Sequence, residues 1–247
     1  MGFLYHEILY RPLFNLLIQI YNLVPGADFG VAIIIMTLII RLAFFPLSIK
    51  ALVSQKELTK LQPKIKELQE KFKNDKQALG QATMQLYKEH SINPFSGCLP
   101  ILIQLPVLIA LYGALRNGLK PESLNDLYYF ISRPELIKTV ALGFIDLSDK
   151  SHVMAILAGA LQWFQLKKSN TMQQGQSKET LPVNKNKNTL PSSDISSTMN
   201  KQMLYFFPVM VIIIAWNLPA GLTLYWVAAT VFSILEQLYV NKKISKN

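Results

Sequence analysis

Along this 247-residue chain, polar and apolar residues segregate into long blocks and do not alternate finely. Charge-free apolar runs of this length are the pattern of helices that sit in a bilayer. The first block, 29–48, reads FGVAIIIMTLIIRLAFFPLS. Twenty helical residues rise about 30 Å, the hydrocarbon thickness of a membrane. A second span is predicted at 95–116, with its apolar core from Cys98 to Leu115, and a third at 151–168, closed by Lys167 and Lys168. From Gln202 to Leu235 there are 34 residues without a charge, interrupted by Asn217-Leu218-Pro219-Ala220-Gly221. Pro-x-Gly punctuates a helix where the chain reverses, which predicts two spans, 202–217 and 218–240, over one long kinked helix. The fold class expected is an all-α integral membrane protein with five transmembrane helices.

The connections differ in composition. Residues 1–28 are apolar with a polar minority at Glu7, Arg11, Asn15, Gln19 and Asn22, spaced by four, four, four and three. That spacing is one helical stripe, so an amphipathic helix lying on the outer surface is expected, turned into the first span by Pro25-Gly26. Over 49–94, Leu58, Leu61, Ile65, Leu68 and Phe72 recur at three and four, as do Leu79, Ala82 and Leu86 beyond Lys73-Asn74-Asp75. Two antiparallel helices joined in a cytoplasmic hairpin account for this, with Pro63 bending the first or restarting it. The hairpin reads either as a solvated coiled-coil face or as an arm meeting partners near the membrane. Residues 169–201 are rich in Ser, Thr, Asn, Gln and Lys and read as a flexible cytoplasmic loop. Residues 241–247 form a short basic tail, suited to anionic lipid or ribosomal RNA.

Charge then orients the chain. The net charge is +10, and 21 of the 25 basic residues are lysines. Nine lysines lie in 49–90, six in 167–202 and three in 242–247, whereas 117–150 has three lysines and Arg133 against five acids. Lys/Arg excess marks the cytoplasmic side, so the N-terminus and the loop 117–150 are expected outside and the C-terminus inside. Cys98 is the sole cysteine, which excludes an internal disulfide. The first 28 residues do not follow the pattern of a cleavable signal.

Candidate chemistry is sparse. HExxH, GxSxG and P-loop motifs are absent from the sequence, and no Asp, Glu or His falls deep in a predicted span, Glu236 being at the end of the last. No catalytic residue, cofactor or metal site is therefore expected, and proton-coupled transport, which uses intramembrane carboxylates, is disfavoured. What stands out is Arg41, within the first apolar block. A guanidinium there costs roughly 2.5–3.5 kcal/mol on insertion scales and cannot escape by deprotonating. Thr37, Gln104, Gln162, Gln165, Tyr225 and Trp226, together with Trp163, are the polar or amphipathic residues available to line a wet cavity around it. Each also has an ordinary structural explanation: a bond to its own helix, an interhelical contact, or an interfacial aromatic.

Five strings, in order, carry a resemblance: YRPLFNLL; TLIIRLAFFPLSIK; LQPKIKELQEKFKNDKQ; MQLYKEHSINPFSGCLPILIQLPVLIALYGAL; and FFPVMVIIIAWNLPAGLTLYWVAATVFSILEQ. Together they extend from Tyr10 to Gln237, and the chain resembles the YidC/Oxa/Alb membrane protein insertases, the bacterial YidC type in particular. The resemblance implies a groove in the inner half of the bilayer, open to cytoplasm and lipid, with Arg41 facing it. Thr37 and Trp226 match positions close to the client's path, and Gln104 and Gln165 match polar core positions. It further implies a non-enzymatic insertase and chaperone of the bacterial cytoplasmic (inner) membrane, multi-pass. Nascent membrane proteins are its clients, and the lipid bilayer, ribosome, Sec translocon and a targeting receptor are candidate partners, with no DNA. Longer relatives carry an additional N-terminal span and periplasmic domain, and others a lipoprotein signal. The chain is accordingly either a short natural form or a trimmed one. Two rival readings are a small channel or transporter with Arg41 as an anion site, and an assembly scaffold whose arginine only ties helices together.

Overall fold

In a computed structural model, the described residues are 3–93, 99–117, 121–135, 137–141, 143–177 and 192–244. They are mostly helical. A helical turn, Phe3–Tyr5, and a π-helical stretch, His6–Tyr10, lead into α1, Arg11–Leu23. Then follow α2 (Phe29–Lys60), α3 (Gln62–Lys71), α4 (Lys76–Glu89), α5 (Leu99–Asn117), α6 (His152–Ser177), α7 (Ser192–Trp216) and α8 (Ala220–Ile244). Two stretches, Phe29–Lys60 and Ala220–Lys242, are long and apolar enough to cross a membrane; Gln104–Leu115 and Leu204–Trp216 are shorter apolar helices.

The start of α2 is set locally. Gly26 (φ +82°) and Ala27 (φ +50°) take the left-handed region and reverse the chain after α1. Asp28 then caps α2, its carboxylate accepting from the N–H groups of Gly30 (2.8 Å) and Val31 (3.0 Å). From there α2 runs unbroken past residue 48, through Pro46, to Lys60. The first stretch assigned to the hairpin is thus a continuation of the first apolar helix, because Leu58 and Thr59 extend the same helical run. Pro63 falls at the start of α3, where its missing N–H is no loss. Asp75 caps α4 through the N–H groups of Gln77 and Ala78. The facing stripes of α3 and α4 are only half-buried.

The core is built where α1, α2, α5 and α8 meet. Phe14, Leu17, Ile18 and Tyr21 of α1, Ile33 and Met36 of α2, Leu111 of α5, and Leu222 and Tyr225 of α8 are almost wholly enclosed. The polar stripe of α1 meets protein on its other side. Asn15, itself buried, donates to the carbonyls of Arg11 (2.8 Å) and Asp126 (3.0 Å) and accepts from the N–H of Tyr128 (2.6 Å). Arg11 donates to the Asp126 carbonyl and lies over the Tyr128 ring. Asn22 donates to the Ser132 carbonyl. His6 and Arg11 both hydrogen-bond to Glu7 and hold its carboxyl below the usual range.

The connection between α5 and α6 contains a short antiparallel ribbon, β1 (Val140–Ala141) with β2 (Ile145–Asp146), turning at Gly143 (φ +82°). Ala141 lies so close to Gly30 that a side chain there would collide with it. The helix break at 217–219 is tied to the same connection by backbone bonds: Ala220 N–H to Asp149 carbonyl (2.7 Å) and Gly221 N–H to Leu147 carbonyl (3.0 Å). Helices α6 and α7 pack closely through small residues, with Ala155, Ala158 and Ala215 fully enclosed. Helix α6 continues to Ser177 and α7 begins at Ser192, so helix occupies both ends of the expected flexible loop, 169–201. Residues 178–191 of that loop, residues 94–98 and the tail 245–247 lie outside the described residues.

Two variants probe this arrangement. A Cβ on Gly159 would overlap the Ile212 side chain and approach the Pro208 carbonyl at 3.1 Å. Gly159→Val should therefore cost about 1–3 kcal/mol of stability by overpacking, seen as a lower thermal midpoint in detergent micelles. An unchanged midpoint would show that α6 and α7 part freely. Asn15→Leu leaves the Tyr128 N–H unpaired and should cost about 1–3 kcal/mol, with faster proteolysis of the 118–150 connection.

Candidate functional site

Arg41, on α2, faces two helices whose side chains can answer its charge. Its guanidinium donates from Nη1 to Ser233 Oγ on α8 (3.1 Å) and from Nη2 to Gln104 Oε1 on α5 (2.9 Å). Gln104 in turn donates from Nε2 to the Tyr225 hydroxyl on α8 (2.7 Å). The Gln104 amide thus works at both ends, its oxygen toward the cation and its nitrogen toward the phenol. The chain Ser233–Arg41–Gln104–Tyr225 begins and ends on one helix.

Beside this network is an open cavity. Ile40, Arg41, Phe44, Leu47, Ser48 and Ala51 line it from α2, Gln104 and Val107 from α5, and Tyr225 and Glu236 from α8. The α2 positions follow three-, four- and seven-residue steps and so share one helix face. Most of the lining is apolar, and its polar atoms are concentrated at Arg41, Ser48, Gln104, Tyr225 and Glu236.

The other anticipated residues lie apart from the cavity lining. Thr37 is wholly enclosed and donates to the Ile33 carbonyl of its own helix (2.7 Å). Gln162, nearly enclosed, donates to Gln165 Oε1 on the same helix (3.0 Å). Trp226 is half-buried, and its carbonyl accepts from Thr230. Trp163 lies under the Lys167 ammonium (4.5 Å).

Three residues of the site were not anticipated. Ser233 is a direct partner of Arg41. Ser48, seven residues after Arg41, lines the cavity beside Glu236. Glu236 itself is only 3% exposed. Protein side chains thus engage Arg41, and Glu236, at the end of the last predicted span, lines the same cavity. A usable signal existed. Tyr225, Ser233 and Glu236 are eight and three residues apart, which places them along one face of the last helix. No group of three or more His, Cys, Asp or Glu suited to a metal occurs among the described residues.

A family model described as 60Kd inner membrane protein matches residues 19–247. The chain belongs to the 60Kd inner membrane protein family. Relatives within it carry the name membrane protein insertase YidC. One from Fusobacterium nucleatum is 35% identical over 216 residues, covering 87% of each chain. A Listeria innocua relative, membrane protein insertase YidC 2, is 36% identical over 97% of this chain and 72% of its own. A Geobacter relative is 36% identical over 88% of this chain, which spans only 34% of that protein. The fold also matches an active YidC insertase crystal structure, with a TM-score of 0.56 at 23% identity, over 95% of this chain and 46% of that one. This 60Kd family member thus shares the YidC-like helical fold.

The Gln104–Tyr225 bond can be measured by a double-mutant cycle. Gln104→Leu and Tyr225→Phe should show a coupling of about 0.5–1.5 kcal/mol in unfolding free energy. Strict additivity would mean that the two side chains do not meet.

Proposed function

We propose that this chain is a membrane protein insertase and chaperone of the bacterial cytoplasmic membrane, with five spans, its N-terminus outside and its C-terminus inside. It receives the short hydrophilic segment of a nascent membrane protein in a hydrated, cytoplasm-open groove around Arg41. The client's hydrophobic helix passes along the apolar faces of the spans into lipid. The observation that carries this reading is the half-buried guanidinium beside an open cavity. Ser233 and Gln104 each engage one of its five N–H donors, which leaves capacity for a passing acidic group.

The work is non-covalent. A cation held by side-chain partners lowers the cost of bringing a carboxylate into the membrane, and a wet groove lowers the desolvation penalty of the rest of the segment. The protein acts alone or beside the Sec translocon, and the ribosome and a targeting receptor are further proposed partners. Helices α3 and α4 form the cytoplasmic arm, and Thr37, Gln162, Gln165 and Trp226 belong to the wider client path, reached as the segment moves beyond the cavity.

The same bonds also favour a second reading, a scaffold role, since they tie α2, α5 and α8 together.

Purified protein in liposomes, offered a single-span test protein with a short acidic tail, separates the readings. Arg41→Ala should lower protease-protected insertion about tenfold or more, the loss of a charged hydrogen bond. Arg41→Lys, which keeps the charge but not the fork, should fall between. Full insertion by the Ala variant would overturn the role given to Arg41. A matching collapse of thermal stability in both variants would favour the scaffold, and steady anion flux would favour a channel.

A further inference from the structure

Glu236 is not needed to account for Arg41. The guanidinium is held by Ser233 and Gln104, and among the described residues no ion pair joins Arg41 to Glu236. Yet Glu236 lines the Arg41 cavity and is 97% buried. Its carboxyl lies beside Ser48, and Oε1 is buried without a partner. A buried acceptor left unpaired is costly, more so on a charged group. The carboxylate would be cheaper to keep if it met a donor at some stage of the protein's work.

The positions of the two groups narrow the donor's chemistry. Arg41 and Glu236 line one cavity without neutralising each other by direct contact. When Glu236 is ionised, its field is weakly screened between the helices and opposes that of Arg41 across the space a client would occupy. A segment carrying only acidic groups gains at Arg41 and is repelled by Glu236. A segment carrying an acidic and a basic group gains at both.

We propose that Glu236 is a specificity-determining residue that makes the Arg41 cavity bipolar, favouring client segments that carry a Lys ammonium close to their acidic residue. The inference rests on the groove reading given above. Its substrate class is a short mixed-charge peptide segment, with the carboxylate of the client at Arg41 and its ammonium at the unused acceptor of Glu236.

The test uses the full chain in liposomes and three single-span test proteins with equal tails: one Asp, Asp with Lys four residues on, and Ala at both positions. The parent should insert the Asp–Lys tail on the order of tenfold more efficiently than the Asp tail, the scale of one charged hydrogen bond. In Glu236→Gln, which is isosteric, that ratio should fall to about one, as the Asp–Lys tail loses the acceptor for its ammonium and the Asp tail is no longer repelled. Glu236→Asp should restore part of the ratio. An unchanged ratio in Glu236→Gln, or an equal change for all three tails as a merely structural role would give, overturns the proposal. The two readings fail separately. If Arg41→Ala inserts the Asp tail as the parent does, the groove reading falls. If Arg41→Ala is impaired but Glu236→Gln leaves the ratio intact, only the bipolar cavity falls.

Discussion

A permanently charged guanidinium in an apolar helix must be answered by polar atoms from elsewhere, and that requirement organises the helices around it. Arg41 reaches α8 directly through Ser233 and again, through Gln104, at Tyr225. Because Tyr225 and Ser233 are eight residues apart on one helix, α8 is fixed against Arg41 at two heights, with α5 as the intermediate. Gln104 suits that place because an amide offers an acceptor and donors in one rigid plane. A carboxylate would satisfy the arginine more strongly but, when ionised, could not also donate to the tyrosine. The network is neutral apart from Arg41, and this keeps the positive charge available beside the cavity.

Much of this was legible in the chain. The apolar runs mark the long helices, the break at Asn217–Gly221 separates the last two, and Arg41 is conspicuous because its surroundings are uncharged. Gln104 and Tyr225 could be proposed as partners because polar atoms in apolar runs are few. Ser233 could not be singled out, since serine in a helix commonly bonds its own backbone, and only the rotation of α8 about its axis decides otherwise. In the sequence Glu236 marks the end of a span, because a carboxylate normally lies at an interface. Its burial follows from α8 continuing to Ile244 and from Ser48 on the extended α2. The reach of α2 to Lys60 was hidden for a related reason: apolar stripes at three and four describe a helix face but do not say where one helix ends and the next begins.

The N-terminal segment shows another limit of local pattern. Its polar stripe is a true helical stripe, and spacing alone cannot say whether it meets headgroups, water or protein. In the fold, Asn15, Asn22 and Arg11 spend it on carbonyls and an N–H of the 126–132 stretch. These are contacts across more than a hundred residues, invisible to any window on the sequence. The helix therefore acts as the floor on which a connection with little regular structure of its own is laid down.

The ribbon and the α7–α8 turn meet that connection through backbone groups, Ala220 and Gly221 donating to Asp149 and Leu147. Such bonds depend on chain path more than on side-chain identity. The end of the bundle that holds them can thus exchange most of its residues over evolutionary time and still close in the same way. The Arg41 network has no such latitude, because each link is a particular functional group at a particular height. Substitution rates among homologues should accordingly be lopsided, permissive in the 137–150 segment except where Ala141 abuts Gly30, and slow at the few side chains that share the arginine's cavity.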